Sequence, residues 1–467
     1  MAYLTGVKPS IPVNVRYNMD STLDIATGRP QLGQKGETII NGGITPYTAL
    51  VGAPKTFKTV LGDSICAIMS TRYGCETLKH NSEPGGDIFR VQEISRHCAP
   101  DLYAIEDIER FDKLVVTGLD QYTGSEIWDL VSKISDEREK KASSLVVETP
   151  LVDKDGVVST KLPFIWFEDS LTVWRPNNVV EKQDKEAAGS KGQNMVFMDA
   201  GRAKTQMVAE YPTMIARSGM FFIQTAHLGE KFHLDAYAPK FEKLAFAKTN
   251  IVIKQTCDMF HYLPTTMWWV MGVKPLMHAK NKTPEYQRDE TDTRVGDTDL
   301  MLMVMTNVRG TTGSSGFYEE LVFSQTEGWM PRLSEFRYIK EWGTGTEVGF
   351  GLHGNLINFK LDLYPTVNVT RNTVRGKLEN DQMFAQATRF TADLCFIHER
   401  MKRYPKELLC TPAELYADIK ALGYDWDRLL KTRSYWTFDQ YTHPIPFLSI
   451  FDLLRMRVGL YRPYWYD

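Results

Sequence analysis

The eight residues from 52 to 59 could bind phosphate. They are Gly52, Ala53, Pro54, Lys55, Thr56, Phe57, Lys58 and Thr59. The run fits the pattern G-x-x-x-x-G-K-[ST], except that Phe57 replaces the second glycine. In a loop of this kind the backbone N–H groups face the phosphates of ATP. Lys58 would reach the β and γ oxygens, and the Thr59 hydroxyl would bind Mg²⁺, so these residues predict an ATP and Mg²⁺ site.

Hydrolysis of ATP also needs carboxylates, and three acidic residues could supply them. Glu168 and Asp169 end an apolar run at 163–167, the position of the second magnesium-organising acid in such ATPases. Alternation along a strand would aim only one of the two at the nucleotide, and the spacing leaves the choice open. Glu83 follows another predicted strand at 76–80, where a carboxylate can orient and deprotonate the attacking water.

A histidine also follows a predicted strand. His227 lies just beyond the apolar run 220–223 and could sense the γ-phosphate of the nucleotide. A lone histidine more often makes a structural hydrogen bond, so the residue type leaves both roles open.

The elements that would position these side chains alternate between strands and helices. Apolar runs at 48–51, 267–271 and 300–305 predict further strands, whereas 60–69 and 196–216 have helical spacing. Such alternation is typical of an α/β protein with a mainly parallel central sheet flanked by helices.

The two ends of the chain differ in pattern from this core. Residues 1–18 are weakly patterned, and we expect an N-terminal arm that packs on another molecule and serves oligomerisation. Beyond about residue 337 the character of the sequence changes, which predicts a separate C-terminal domain at 337–467. Within it, 411–430 has helical periodicity, with Thr411 as N-cap and Pro412 at the first helical position.

Composition excludes several classes of protein. The chain has 467 residues, a formal net charge of −3 and a pI near 6.3, so any contact with DNA must come from local patches. Its six cysteines are scattered without a C-x-x-C pair, which favours reduced thiols over a zinc site. No apolar run approaches the roughly 18 residues of a membrane span, so neither secretion nor membrane insertion is expected.

Several motifs together resemble those of the RecA family. The segment 21–28 resembles the part of that family that precedes the phosphate loop, and 52–59 is similar to the variant loop of the UvsX-type bacteriophage recombinases, where phenylalanine also replaces glycine. The run 81–83 resembles the family's D-S-E, which assigns the catalytic glutamate to Glu83. The run 167–171 resembles its magnesium-acid strand end and favours Asp169 over Glu168.

Further matches follow in order, in pieces between residues 21 and 328. The run 199–204 is similar to a D-x-x-R-A-K stretch beside the family's first DNA-binding loop. His227 falls on an asparagine–histidine switch that couples nucleotide state to the second DNA loop, with Ala226 in place of asparagine. The run 307–309 occupies the place of a K-x-R pair that reaches the neighbouring subunit's ATP. Arg309 there fits an arginine finger, and Asn307 stands where the family has lysine.

The resemblance implies a RecA-like P-loop ATPase core at 19–336 with two DNA-binding loops. These loops, about 175–194 and 228–254, would project into the axis of a helical filament and hold single-stranded DNA. Lysines interleaved with aromatic side chains suit contact with the DNA backbone and stacking on bases. The predicted DNA-binding residues are Lys191, Arg202, Lys204, Lys231, Phe232 and Lys240.

The function that the resemblance implies is that of a DNA-dependent ATPase and homologous recombinase. It would form filaments on single-stranded DNA and pair it with homologous duplex DNA, in phage recombination, repair and replication, in the cytoplasm of the infected host cell. ATP would lie between subunits, and no membrane is involved. The predicted catalytic residues are Glu83, Lys58, His227 and Arg309, with Thr59 and Asp169 at the metal.

Two other functions fit the same residues. The segment 308–313 also resembles the finger segment of the hexameric DnaB-type helicases, although the short N-terminal stretch argues against that class. A degenerate ATPase that acts as an assembly scaffold is the third reading. Asn307 and the polar strand at 76–80 favour it.

Overall fold

The structure, a computed structural model, describes residues 15–83, 88–98, 113–185, 191–230, 251–289, 291–310, 315–341, 349–354 and 358–466. Their strands are β1 (Arg29–Leu32), β2 (Thr38–Asn41), β3 (Tyr47–Gly52), β4 (Glu76–Asn81), β5 (Leu114–Gly118), β6 (Val146–Asp153), β7 (Gly156–Lys161), β8 (Phe164–Asp169), β9 (Met220–Glu230), β10 (Ile251–Ile253), β11 (Thr266–Pro275), β12 (Leu300–Gly310), β13 (Tyr318–Ser324), β14 (Gly328–Trp329), β15 (Leu352–Gly354), β16 (Asn358–Leu361) and β17 (Tyr364–Thr370). Their α-helices are α1 (Ser21–Thr27), α2 (Lys58–Tyr73), α3 (Ile88–Cys98), α4 (Gly124–Lys140), α5 (Ala142–Leu145), α6 (Asn177–Lys185), α7 (Lys191–Ser218), α8 (Pro331–Glu341), α9 (Val374–Asn380), α10 (Gln382–Arg400), α11 (Pro412–Ala421), α12 (Trp426–Leu430) and α13 (Ile450–Arg457).

One large sheet organises the described residues. Its strand order is β14-β13-β12-β11-β3-β9-β8-β4-β5, and β10 pairs with β9. The six strands from β11 to β5 in that order run parallel to their neighbours. The pairs that involve β12, β13, β14 and β10 are antiparallel. The predicted α/β class, with a mainly parallel sheet flanked by helices, is confirmed.

Helices cover both faces of this sheet because alternate residues of each strand point to opposite sides. On one face α2 packs against β3, β8 and β9 through Leu50, Leu61, Ile65, Ile165, Phe167 and Ile223. On the other face α4 and α7 pack against the same strands through Tyr47, Ile127, Val131, Trp166, Met207, Tyr211 and Phe222. Strands buried on both faces leave their carboxyl ends as the edge where polar side chains can gather.

The two predicted DNA-binding loops have different bounds in the structure. The first, 175–194, is partly helical, since α6 and the start of α7 fall within it. Of the second, 228–254, residues 228–230 belong to β9 and Ile251–Ile253 form β10, which pairs with it. Residues 231–250 lie outside the described part of the chain. The single helix predicted at 411–430 is also wrong, since Gly423 (φ +85°) lies in the break between α11 and α12.

The C-terminal region is not packed as a separate unit, which corrects the predicted boundary at 336/337. One hydrophobic core joins side chains from both sides of that boundary. It includes Ile25, Ile40, Leu276, Leu300, Phe336, Phe390, Leu394, Phe396, Leu429 and Leu453. Helix α10 packs on both α8 and α1. The capping prediction is confirmed: Thr411 and Glu414 form a reciprocal capping box, and Pro412 starts α11.

The predicted N-terminal arm is also corrected where the structure describes it. Residues 1–14 lie outside the described part, and 15–18 are buried in the chain's own core. Tyr17 bridges to Ile44 and lies edge-on to Tyr73, with ring centroids 4.7 Å apart. Tyr17 also packs against Trp436, at 5.3 Å. The end of this segment therefore stabilises its own fold.

Two further observations concern the cysteines and the helices. The cysteines Cys66, Cys75, Cys257, Cys395 and Cys410 are free and buried. None of the described helices is both long and apolar enough to cross a bilayer.

Candidate nucleotide site

Four neighbouring parallel strands bring the predicted site residues to one edge of the sheet. Strand β3 leads into the phosphate loop and β4 leads to Glu83, while Asp169 ends β8 and His227 lies within β9, three residues before its end. Gly52 lies opposite His227 in the register, and Asn81 lies opposite Asp169. Ligands of parallel α/β sheets bind at the carboxyl ends of strands, so this edge is the candidate site.

Phe57 has the backbone conformation that glycine usually supplies in such a loop. Its φ is 61° and its ψ is 17°, in the left-handed region, which costs a residue with a Cβ about 1–2 kcal/mol. The Phe57 ring packs against Phe323 of β13, with centroids 5.8 Å apart. This contact offsets the backbone cost. Phe57 therefore holds a left-handed backbone conformation despite its side chain.

The start of α2 fits a bound phosphate group. The N-cap residue Phe57 makes no side-chain hydrogen bond to the first turn, so side chains leave those backbone N–H groups available. Lys58 is buried, and its Nζ donates to the Ala53 carbonyl at 2.7 Å and to Thr56 Oγ1 at 3.2 Å. Burial lowers the pKa of Lys58 to about 8, against the opposing charges of Asp169 and Glu83.

Asp169 and Thr59 form the candidate magnesium site. Thr59 Oγ1 donates to Asp169 Oδ2 at 2.6 Å, and Thr225 Oγ1 donates to Oδ1 at 2.5 Å. A hydroxyl and a carboxylate suit Mg²⁺, which takes oxygen ligands and usually keeps water and substrate phosphates in its shell. In the described part of the chain, no three His, Cys, Asp or Glu residues cluster as a metal site. A magnesium ion here would thus depend on nucleotide and water oxygens.

Glu168 faces away from this site, as strand alternation requires. Its carboxylate lies on the opposite face of β8, 2.9 Å from Nδ1 of His80, and both side chains are fully buried. The structure therefore brings Asp169 to Thr59 and separates Glu168 from it. The choice between the two acids that the spacing left open agrees with the one that the family resemblance favoured.

Glu83 and His227 meet beside the candidate magnesium site. Glu83 Oε1 lies 2.5 Å from both His227 Nε2 and the hydroxyl of Ser170, which donates to it. The Glu83 side chain is 36% exposed and that of His227 is 18% exposed. The backbone N–H of His227 donates to Thr172 Oγ1 at 2.8 Å. Glu83 is therefore fixed in orientation yet open to solvent, which suits a group that activates water.

Sequence reasoning did not identify the hydroxyl residues of this network. Ser82 joins the end of β4 to the turn after β8: its N–H donates to the Asp169 carbonyl at 2.8 Å and its hydroxyl to the Ser170 carbonyl at 2.7 Å. Ser170 and Thr225 hold Glu83 and Asp169 as described above. In the sequence, Ser82 and Ser170 directly adjoin Glu83 and Asp169, and this position could have identified them.

Arg309 lies away from the phosphate loop of its own chain. It pairs with Met267 on β11, which pairs with Ala49, three residues before Gly52 on β3. Arg309 is thus nearer the amino ends of the parallel strands, and its Nε donates to the Pro264 carbonyl at 2.7 Å. Asn307 is buried, and its Oδ1 accepts the backbone N–H of Arg309. The chain does not bring these two residues to its own candidate site.

The prediction that Lys204 contacts DNA disagrees with its placement. Lys204 is 2% exposed, and its Nζ donates to the carbonyls of Leu171, Thr172 and Gln255 at 2.7–3.1 Å. Burial, with help from Arg175, lowers the pKa of Lys204 to about 7, yet three carbonyl acceptors require the three N–H donors of the ammonium form. Lys204 therefore ties α7 to two turns as a structural cation.

The other predicted DNA-binding residues are only partly described. Arg202 is exposed on α7, and Lys191 is the first residue of that helix. Lys231, Phe232 and Lys240 lie outside the described residues. The exposed side chains of Met195 and Met198, on the first turns of α7, lie on the same segment as Arg202.

Comparison with known proteins adds no family to this picture. A scan against protein-family models found no match, and a search of curated proteins found none either.

Proposed function

We propose that this chain is an ATPase of the RecA type that binds single-stranded DNA and pairs it with homologous duplex DNA. One observation carries the proposal: the Thr59–Asp169 contact and the Glu83–His227 contact lie side by side at one sheet edge, next to a phosphate loop. The fold class alone would fit many functions. The motif pieces between residues 21 and 328 make RecA-type recombination the function we favour.

The residues have complementary roles in ATP hydrolysis. The N–H groups at the start of α2 and the Lys58 ammonium would hold the phosphates. Mg²⁺ bound by Thr59 and Asp169 would neutralise charge on the phosphate oxygens. Glu83 would accept a proton from water as the water oxygen bonds to the γ-phosphorus and the bond from that phosphorus to the bridging oxygen breaks, which releases ADP.

A site shared between two copies of the chain fits the position of Arg309. Arg309 lies toward the amino ends of the parallel strands, whereas its own phosphate loop follows the carboxyl end of β3. It would therefore serve the ATP of a neighbouring copy as an arginine finger. Such an arrangement makes hydrolysis depend on assembly. It fits an open filament or a closed ring, so the hexameric DnaB-type helicase remains the second candidate. Electron microscopy of the protein with ATP and DNA separates helical filaments from six-membered rings.

His227 would connect hydrolysis to DNA binding. It hydrogen-bonds Glu83 from β9, and β9 leads directly into the segment 231–250, which belongs to the second predicted DNA-binding loop. A change at Glu83 during hydrolysis could therefore alter the strand that carries this loop. We propose that the protein acts in the cytoplasm of an infected host cell, with DNA and copies of itself as partners.

An ATPase assay with and without single-stranded DNA tests the proposal. We expect hydrolysis that DNA stimulates, and Lys58→Ala should reduce it at least ~100-fold because the variant loses the cation that contacts the phosphates. Lys154→Ala is the control, since Lys154 is exposed in the turn between β6 and β7 and is not one of the candidate site residues. Absence of ATP turnover in the wild type, or unchanged turnover in Lys58→Ala, would reject the site.

A further inference from the structure

Strand β4, which leads to Glu83, is polar where a buried strand is normally apolar. Lys79 and His80 are 1% and 0% exposed. Strands of a mainly parallel sheet lie between two helical layers and consist mostly of apolar residues. Two adjacent buried titratable side chains therefore need partners, and each has one on a different face of the sheet.

Lys79 joins β4 to α2. Its Nζ lies 2.6 Å from Asp63 Oδ1, and Asp63 is 3% exposed. Asp63 follows Thr59 by one helical turn. Helix α2 approaches β8 closely at this point, since a Cβ on Gly62 would overlap the ring of Phe167. The Lys79 ammonium also lies 5.2 Å from the centroid of that ring.

His80 joins β4 to β8 on the opposite face. It pairs in register with Glu168, one residue before the pair of Asn81 with Asp169. His80 Nδ1 lies 2.9 Å from Glu168 Oε2, and its Nε2 lies 3.3 Å from the Tyr122 carbonyl. Burial lowers the pKa of His80, but the hydrogen bond and charge of Glu168 outweigh it and raise that pKa above its ordinary value.

We propose that these two ion pairs position the catalytic groups relative to one another. The inference rests on the proposed ATPase function. The Lys79–Asp63 pair fixes the strand that carries Glu83 to the helix that begins beside Thr59. The His80–Glu168 pair fixes the same strand to the one that ends in Asp169. Buried ion pairs add little net stability, because the cost of desolvation offsets the attraction between the charges. Each pair nevertheless fixes the distance between the two elements that carry it. None of the four residues touches the reacting atoms, so they are positioning residues.

Paired replacements test this role without leaving a single buried charge. The first variant is Lys79→Met with Asp63→Leu, and the second is His80→Leu with Glu168→Met. Buried pairs replaced by apolar residues of similar size usually keep the stability of a protein. The control is Lys340→Met with Glu285→Leu, which removes another ion pair, at 2.8 Å, remote from the site. Lys79→Arg keeps the charge and should keep most of the activity.

Steady-state ATPase kinetics and thermal unfolding give the readouts. We expect kcat to fall ~10- to 100-fold in both site pairs, since a displacement of about 1 Å costs that much, with KM for ATP within ~3-fold of wild type. The control pair should keep wild-type kcat.

Each other result has a defined meaning. Unchanged kcat in both site pairs, while Glu83→Gln abolishes turnover, would overturn this inference and leave the ATPase function standing. A melting temperature lowered by more than ~10 °C would make the pairs stability elements and would also overturn it. A wild type without ATPase would reject the proposed function and this inference with it.

Discussion

Two clusters of charged side chains in this molecule differ in what they leave accessible. Around Arg389 the guanidinium contacts Asp24 at 2.9 Å, Asp393 at 3.1 Å and Glu335 at 3.4 Å, and every member is at least 93% buried. At the sheet edge the Glu83 side chain remains 36% exposed and the start of α2 lacks a side-chain cap. Both clusters mix acids with a cation, but only the second has donors and a carboxylate that an incoming ligand can meet.

The pKa shifts in the buried cluster follow from burial and from the charges of its own members. Burial, together with the charges of Glu335 and Asp24, raises the pKa of Asp20 well above its ordinary value. The Arg389 pKa is raised, because its acidic neighbours outweigh its burial. The cluster joins α1, α8 and α10, and therefore ties the N-terminal helix to the C-terminal region. Charge density alone does not indicate a functional site, whereas charge with access does.

The largest expected effect is on the open cluster. Glu83→Gln should lower kcat for ATP about 10²- to 10⁴-fold, because the amide cannot accept the proton from water. Nucleotide affinity should stay within a few-fold of wild type, since the loop and Lys58 are unchanged. Single-turnover hydrolysis and equilibrium nucleotide binding measure the two effects separately. Equal losses in binding and turnover would contradict the assigned role.

The buried cluster should respond in stability. Arg389→Met should lower the free energy of unfolding by about 3–5 kcal/mol, because carboxylates that shared its charge stay buried without compensation. Arg294→Met is the matched control: its ion pair with Asp297 is 84% and 65% exposed and should change stability by less than about 0.5 kcal/mol. Urea unfolding monitored by circular dichroism tests both. Similar midpoints for the two variants would remove the distinction between the clusters.

The pKa of Lys58 predicts a moderate pH effect at the open site. The unfolded chain holds this proton up to a pH near 10.5, whereas the folded protein releases it near pH 8. Between these values the unfolded state binds more protons, so the contribution of Lys58 to stability rises with pH. ATP affinity should fall over the same range, about 10-fold by pH 9, because the ammonium is lost.

Lys58→Arg provides the control for this titration. A guanidinium stays charged throughout the range, so the variant should bind ATP with little dependence on pH, whatever its absolute affinity. Nucleotide titrations from pH 7 to 9.5 compare the two proteins. The same pH dependence in both would assign the titration to another group.

The smallest effect concerns the loop backbone. Phe57→Gly relieves the left-handed conformation but loses the contact with Phe323, so stability should change by less than about 1 kcal/mol. Phe57→Ala keeps the backbone cost and loses the ring, and should be the less stable of the two by about 1 kcal/mol. Thermal unfolding ranks them. If Phe57→Ala were instead more stable than Phe57→Gly, as is usual for alanine and glycine in helices, the backbone at residue 57 would have left the left-handed conformation in the variant.

Local pattern predicted where the residues of the open cluster lie, because each of those positions depends on short-range rules. The loop, the strand ends and the alternation that separates Asp169 from Glu168 all follow from neighbours in sequence. Lys204 could not be placed in this way, since its carbonyl partners come from residues 171, 172 and 255. Its motif suggested an exposed cation, and only the tertiary contacts bury it.

Long-range packing also explains the errors at the two ends of the chain. The core that contains Ile25 and Leu300 also contains Phe390 and Leu453, and no local signal predicts that such distant residues share it. The buried pairs of β4 are a similar case. From the sequence, the polar residues at 79 and 80 favoured a degenerate ATPase. In the structure, Lys79 pairs with Asp63 on α2 and His80 pairs with Glu168 on β8.

The aromatic group of Tyr17, Tyr73 and Trp436 has a practical consequence for dissection of the protein. Tyr73 is the last residue of the helix that starts at the phosphate loop, and its ring lies 4.8 Å from that of Trp436. A chain shortened before residue 436 would expose the far end of that helix to water. Lost ATP turnover after such a truncation would then report damaged folding, and point substitutions on the C-terminal surface are the sounder way to look for regulation there.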